Sequence, residues 1–344
     1  MKKNIFNLII IIISLAVPFV VVFSTQSIDT LLQQIIQLDS LWIILSLFCM
    51  FLYWFFESLS LHVISAFHGI RDKIRHSFSY TMVGQFFNSI TPFQTGGQPA
   101  QVVYMMKNGI DSGNASSIVM LKFVAFQSVI TIYSLGIILF TYKDFSARIP
   151  FLFPFTVLGF AVHASMIAIS MLFSYNRTLT EKILKFIFKV LKKIKIIKGD
   201  EVEAEKKLEN SLSKFHDNAH LLKKNPKLLI KLFILTMIQL SFFFSIPCLI
   251  YKAFGGGSSS YFELFAAAVF IATVISIIPL PGAAGGAEIS SYTFFQFYFQ
   301  GDSVFTAMLL WRIITFYSCI GFGGLFTVAC PNKSNKKIAN EQLK

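Results

Sequence analysis

Residues 88–101 read NSITPFQTGGQPAQ, a polar stretch with two prolines and a glycine pair set between strongly apolar runs. Proline removes a backbone donor and breaks a helix. The flanks set the terms in which that break must be read. Hydrophobic residues make up 55% of the 344-residue chain and charged residues 14%, where a soluble domain carries roughly a quarter charged residues. Several apolar runs reach the roughly 20 residues that cross a bilayer as helix. The composition therefore specifies an all-α polytopic membrane protein. Hydrocarbon offers no partner to non-helical backbone, so a broken segment at membrane depth must be buried in protein or face a wet cavity.

The net charge of +13 follows from topology: Lys and Arg concentrate in cytoplasmic loops, and nearly half of them here fall in one loop. No nucleic-acid partner is implied. Cys49, Cys248, Cys319 and Cys330 lie in or beside apolar runs without a CxxC or Cys/His cluster. Neither a disulfide framework nor a zinc site is expected, and no cofactor. Lys2 and Lys3 precede an apolar run from Ile5 to Phe23. It is long and has no clear small-x-small cleavage site, so it reads as a retained first span.

Full spans are expected near 5–23, 41–67, 118–141, 149–174, 228–252 and 303–330, six in all. Two further apolar regions, 78–106 and 261–299, are interrupted by Pro and Gly. Lys2 and Lys3 place the N-terminus inside. Segment 24–40 holds Asp29 and Asp39 and no Lys or Arg, which suits the outside; Arg71, Lys73 and Arg75 suit the inside. The lysine-rich segment 175–227 and the tail with Lys333, Lys336 and Lys337 also belong inside. If 78–106 crossed once, 175–227 would land outside. Region 78–106 must therefore enter and leave on the cytoplasmic side, and 261–299 on the external side. Parity alone leaves open whether each is re-entrant or crosses twice. Phe78 to Ile90 spans about 20 Å as helix, too short for the bilayer, which favours two oppositely oriented re-entrant hairpins. Paired broken segments in opposite halves point to a transporter's midplane site; a tight helix-packing joint is the alternative.

The second broken region reads IIPLPGAAGGAEISSYTFF, Ile277 to Phe295. Pro279 and Pro281 end the descending helix, and Gly282, Gly285 and Gly286 permit a tight turn. Glu288 is placed to cap the next helix or to face a polar pathway. Arg312, in LLWRIITFY, lies too deep for easy snorkelling and wants a carboxylate or phosphate that its planar fork can grip. Glu288 and Glu57 are both candidate partners, and a purely architectural pair is the other reading. Lys122 is expected to snorkel, and His163 to be a core histidine. In the first region Gln94, Gln98, Gln101 and Tyr104, with the N–H groups of Gly96 and Gly97, supply neutral donors and acceptors suited to a phosphodiester headgroup.

Leu184, Ile187, Phe188 and Leu191 recur at helical spacing among lysines, so 175–227 reads as a basic amphipathic insertion contacting anionic inner-leaflet lipids. His216 and His220 read as surface residues. The domain plan is one integral membrane domain over 1–331 and a cytoplasmic tail over 332–344.

The segments ITPFQTGGQPAQVVYMMKNGI (Ile90–Ile110), PLPGAAGGAE (Pro279–Glu288) and LLWRIITFY (Leu309–Tyr317) together resemble the lysylphosphatidylglycerol synthase membrane-domain family. That family includes the flippase-type domain of the multiple peptide resistance factor. The resemblance covers nearly the whole chain and includes no counterpart of the soluble synthase domain. It implies a lipid flippase of the bacterial cytoplasmic membrane that moves aminoacyl-phosphatidylglycerol or a related phospholipid, in the setting of antimicrobial-peptide resistance. Arg312, Glu288 or Glu57, the glutamines and the glycines would then handle the headgroup. The alternatives are a phosphatidylglycerol lysyltransferase, or a membrane subunit serving a separate synthase. A homo-oligomer is compatible with each.

Overall fold

A computed structural model describes residues 2–149, 152–183, 209–210, 212–215, 225–257 and 261–329. Among these the regular structure is helical, without strands. The helices are α1 (Lys2–Thr25), α2 (Ile28–Ile36), α3 (Ser40–Phe67), α4 (Ile74–Ile90), α5 (Gly97–Lys107), α6 (Ser112–Arg148), α7 (Leu152–Tyr175), α8 (Pro226–Ala253), α9 (Tyr261–Ile275), α10 (Gly286–Phe295), α11 (Ser303–Arg312) and α12 (Ser318–Ala329). Residues Ile313–Tyr317 join α11 to α12 through a π-helical segment.

Local chemistry sets the helix starts. Asp39 accepts from Leu41 N at α3, Asp111 from Gly113 N and Asn114 N at α6, and Asn225 from Leu228 N ahead of Pro226 at α8. Each side chain satisfies first-turn donors that have no partner inside the helix. Four apolar helices are long enough to span: Ser40–Phe67, Ser112–Thr141, Pro226–Ala253 and Ser303–Ala329. Counting each of two bent pairs as one span gives up to six, one pair being Ile12–Thr25 with Ile28–Ile36 at 97° and the other Val157–Phe173 with Arg177–Ile183 at 100°. The stretch expected as an external loop before α3 therefore contains helix α2. Leu31 is buried while Ile28, Leu32 and Ile36 are exposed, a face suited to lying along a membrane surface.

Side-chain contacts sort the connections into two ends of the bundle. At the first end, the α3–α4 and α5–α6 connections line one pocket of about 250 Å³ bounded by Ile70, Arg71, Asp72, Asn108 and Asp111. Lys214 reaches Asp111 at 3.6 Å there. At the second end, Asp39 N donates to Ala253 O (3.0 Å), Arg148 lies 3.7 Å from Glu263, and Tyr298 Oη donates to Glu263 (2.7 Å). So α4–α5 leaves and returns at the first end, and α9–α10 at the second. The arms have 17, 11, 15 and 10 residues. Those lengths are about 25, 16, 22 and 15 Å, all short of a hydrocarbon core of about 30 Å. The oppositely oriented hairpins expected from the sequence are present.

Large apolar side chains such as Ile44, Leu139, Phe140 and Val328 are exposed on the outside of the bundle, where lipid covers them. Lipid removes most of the hydrophobic drive between helices, so close packing must hold them together. Gly323 of α12 supplies one such approach: a Cβ there would lie 2.7 Å from Met82 O and 2.9 Å from Phe86 Cβ of α4. The amphipathic pattern at Leu184, Ile187, Phe188 and Leu191, together with His216, His220, Cys330 and the tail over 332–344, falls outside the described residues.

Candidate functional site

The two hairpin tips are built alike. Thr91 and Leu280 are extended, with φ/ψ of −114°/147° and −116°/149°. A proline follows each, then two residues with positive φ: Phe93 (53°) and Gln94 (54°) in the first tip, Gly282 (59°) and Ala283 (52°) in the second. The hydrogen bonds also correspond. Gln94 N donates to Thr91 O and Thr95 N to Pro92 O; Ala283 N donates to Leu280 O and Ala284 N to Pro281 O. Both stretches end in a glycine pair that starts the returning helix. The tips lie against each other. Left-handed conformation costs a non-glycine residue roughly 1–2 kcal/mol, and three such residues sit at these two tips.

Arg312 ends α11 immediately before the π-helical segment, a distortion that recurs at functional sites. Its Nε lies 2.8 Å from Glu288 Oε1, and both side chains are almost fully buried. The contact is charge to charge, since the Nε–H direction does not align on Oε1. Nη2 donates to Gly282 O at 3.1 Å, and Cζ stands 4.2 Å from the centre of the Phe316 ring. Glu288 lies in the first turn of α10, where its second oxygen, Oε2, accepts from Gly285 N at 2.6 Å. It therefore caps a helix and balances a guanidinium at once. Of the roles left open by the sequence, the helix cap and the pairing with Arg312 are the ones seen.

Phe316 seals this pair. A Cβ at position 282 would come within 2.1 Å of its ring, so the ring presses on bare glycine backbone. Pro281 to Ala284 are buried, whereas Pro92 to Thr95 are exposed. Of the two settings open to a broken segment, burial in protein or contact with a cavity, the tips take different ones. In this conformation the first tip is open, and the second tip with its guanidinium is closed off by an aromatic ring.

Glu57 pairs elsewhere. Its Oε1 accepts from Lys122 Nζ at 2.5 Å and its Oε2 from Gln85 Nε2 at 2.5 Å. Lys122 also donates to Gln101 Oε1 at 2.8 Å. Gln85 extends the network to Tyr53 Oη (3.4 Å) and accepts from Cys319 Sγ (3.6 Å). Lys122 therefore does not snorkel, and Glu57 is not the partner of Arg312. Depth along α6 suggested an amine within reach of the surface; the hydrogen-bonding groups on α3, α4 and α5 turn it inward. Gln85 and Lys122 carry no sequence signal as site members, because their partners lie on other helices, far away in the chain. Only α3, α4, α5 and α6 packed together show them as one cluster.

The remaining sequence candidates divide. Gln101 is buried against Lys122, over the bare Cα of Gly84. Gln94 is exposed and Gln98 half-buried. The N–H groups of Gly96 and Gly97, suited in the sequence to a phosphate, donate instead to Thr91 Oγ1 (2.9 Å) and Asn88 Oδ1 (2.8 Å). Tyr104 Oη donates to Thr327 O at 3.1 Å, tying α5 to α12. Gly285 caps α10 through Glu288, and Gly286 faces Ile278. His163 is a core histidine, with Nδ1 2.7 Å from Gln127 Oε1. Among the described residues no cluster of three potential metal ligands occurs.

Membrane-length helices enclosing two half-length hairpins, with charge pairs buried at mid-depth, define a polytopic all-α membrane domain. The chain belongs to the family described as lysylphosphatidylglycerol synthase TM region, whose sequence model matches residues 6–323. It is also similar to a UPF0104 membrane protein of Archaeoglobus fulgidus, 25% identical over 324 residues, an alignment covering 92% of this chain and 94% of that protein.

Proposed function

We propose that this protein is a lipid flippase, moving phosphatidylglycerol, its aminoacyl form or a related phospholipid between the leaflets of the bacterial cytoplasmic membrane. The observation that carries the reading is the Arg312–Glu288 pair, buried beside a hairpin tip. A lone charge at membrane depth is expensive and marks a substrate path by default. A guanidinium held by one carboxylate can exchange that partner for a lipid phosphate, which its fork grips bidentately. Glu288 retains the Gly285 N–H when the arginine leaves it.

The sealed state is one half of such a cycle. Opening requires Phe316 to leave Gly282, and the π-helical segment that carries Phe316 provides a register that can shift. Arg71, Lys73, Lys107 and Lys214 cluster at the first end. By the positive-inside rule that end is cytoplasmic, with both termini on the same side.

The family description raises a second reading, aminoacyl transfer to phosphatidylglycerol. The described buried clusters are ion pairs and amides, without an activated nucleophile of the kind group transfer uses. Proteoliposomes separate the two. The purified chain is expected to equilibrate fluorescent phosphatidylglycerol between leaflets, with Arg312→Ala at least about tenfold slower, the scale of one charge-assisted hydrogen bond. Wild-type rates equal to those of protein-free vesicles would overturn transport, and an undiminished rate in Arg312→Ala would overturn the role of the Arg312–Glu288 pair in it. Lysine transfer from lysyl-tRNA by the chain alone would establish the enzyme.

A further inference from the structure

The two matching tips belong to two matching units. Lys122 follows Gly97 by about 25 residues and Arg312 follows Gly286 by about 26. Lys122 lies about ten residues into α6 and Arg312 about nine into α11, ~15 Å of helix in each case. Because α6 starts at the first end and α11 at the second, both cations reach mid-depth from opposite sides. Around them the sequences read LKFVAF (Leu121–Phe126) and WRIITF (Trp311–Phe316). Each unit thus has a long helix, a broken hairpin and a returning helix with one cation about ten residues past its start. The opening helices of the two units, α3 and α8, pack along each other. This is an inverted repeat, the architecture in which substrate sites form at the repeat interface.

The chemistry at the two cations corresponds as well. Each carboxylate gives Oε1 to its cation and Oε2 to a neutral N–H: Glu57 to Lys122 and Gln85, Glu288 to Arg312 and Gly285. The carboxylates come from different places, α3 and α10, while the cations occupy equivalent ones. The repeated feature is therefore the cation, with a counter-ion that has its own donor when the cation is taken. The sites differ in access. The Lys122 side chain is 12% exposed beneath the open first tip, against 4% for Arg312 beneath Phe316. The Gln85–Cys319 contact joins them, since Cys319 lies two helical turns beyond Arg312 on the same run of helix.

We infer that Lys122 forms a second phosphodiester station, the counterpart of Arg312 in the other repeat, so that a lipid headgroup has one cationic holding point per unit. Glu57 holds the amine when the station is empty, and Gln101 and Gln85 orient the two partners. This rests on the lipid-handling reading above and adds to it a second site with its own residues.

The test is binding stoichiometry on the full purified chain in detergent, with dihexanoyl-phosphatidylglycerol as probe and inorganic phosphate as the comparison, followed by calorimetry. Wild type is expected to bind two equivalents of the lipid, Lys122→Gln one, Arg312→Gln one and Lys122→Arg two. Glu57→Gln releases the amine without emptying the site, and should tighten one of the two equivalents by on the order of tenfold. That variant and Lys122→Arg decide the matter if Lys122→Gln does not fold. One equivalent in wild type, lost in Arg312→Gln and untouched by changes at Lys122 or Glu57, overturns the second station and leaves the flippase reading standing. Binding of inorganic phosphate at Lys122 with none of the lipid overturns it also. Absence of lipid binding together with absence of leaflet exchange removes both.

Discussion

Arg312 Nε lies 2.8 Å from Glu288 Oε1, and Phe316 lays its ring over the guanidinium at 4.2 Å. One residue lies partway along the span Ser303–Ala329 and the other begins a half-helix, so the pair ties the second hairpin to the bundle while keeping a charge at mid-depth. Removing one partner strands the other charge away from water. Glu288→Gln and Arg312→Met are each expected to destabilise the protein by about 3–5 kcal/mol. The double change Glu288→Met with Arg312→Met should recover most of that loss, because an apolar pair of similar volume carries no desolvation cost. Thermal unfolding in detergent checks the stability. Leaflet exchange should stay abolished in the double variant even where stability returns, which separates the site's function from its architecture.

Phe316 and Gly282 form the seal, and they give opposite predictions. Gly282→Ala places a Cβ 2.1 Å from the ring and puts a side chain at φ 59°. It should destabilise the closed tip by a few kcal/mol, combining overpacking with left-handed strain. Phe316→Ala removes the lid instead. Water-soluble guanidine-reactive or fluorescent headgroup probes should then reach Arg312 in a chain that excludes them in its native form. Unchanged exclusion in Phe316→Ala would show that the ring is packing and not a seal.

Much of this architecture is legible in the sequence. Lysine placement and the Pro–Gly breaks fixed two opposed hairpins, because charge asymmetry and unsatisfiable backbone are strong constraints in lipid. Arg312 and Glu288 stood out because isolated charges in apolar runs are costly. The choice of partners was not readable. Glu57 and Glu288 both lay deep, and only the packing of α3 on α4 and α6 directs Glu57 to Lys122. The repeat was hidden for a different reason. Its tips share a proline and a glycine pair but differ at every side chain between them, since backbone conformation is what the two turns hold in common. The strain at Phe93 and Gln94 gave no signal, because neither residue type announces positive φ.

That strain is itself testable. Gln94 is exposed with φ 54°, so Gln94→Gly loses no buried contact and relieves a left-handed residue. It should stabilise the first tip by about 1 kcal/mol, partly offset by the greater freedom of glycine in the unfolded chain. Hydrogen exchange at residues 91–97 is the direct measurement. Faster exchange there in Gln94→Gly would mean that the amide holds the tip through contacts that outweigh the strain.

His68 gives a pH dependence with a defined sign. It lies just past the end of α3, with Nδ1 2.9 Å from Ile64 O and Nε2 3.2 Å from Ser117 Oγ. Burial lowers its pKa below the ordinary value, against smaller raising effects from the Ile64 carbonyl and Asp111. The unfolded chain therefore takes up this proton first as pH falls. Stability from this group is complete above the ordinary histidine value of about 6.5, declines as pH drops below it, and levels off below the folded-state pKa. His68→Gln should flatten that part of the profile. The difference between the two proteins isolates the histidine from carboxylates that titrate in the same range, and an identical slope in both would assign the effect elsewhere.

Gly323 carries the closest approach of α12 to α4, and it tests whether packing, rather than hydrophobic burial, holds the bundle. In lipid a larger apolar residue at a helix interface gains nothing from leaving water, so its volume counts only against it. The Cβ of Gly323→Ala would sit 2.7 Å from the carbonyl oxygen of Met82, and a carbonyl inside a helix cannot turn aside. The helices must separate, at a cost of about 1–3 kcal/mol for the first methyl and more for Gly323→Val. Gly321, with open space around its Cα, is the control: Gly321→Ala should be neutral or slightly stabilising through helix propensity. Separation at Gly323 also pulls Cys319 from Gln85, one turn away on the same helix face. Gly323→Ala is therefore expected to weaken the Glu57–Lys122 cluster, read as increased labelling of Cys319 by a membrane-permeant thiol reagent. Loss of stability without a change in labelling would mean that the cluster is held by α3 and α6 alone.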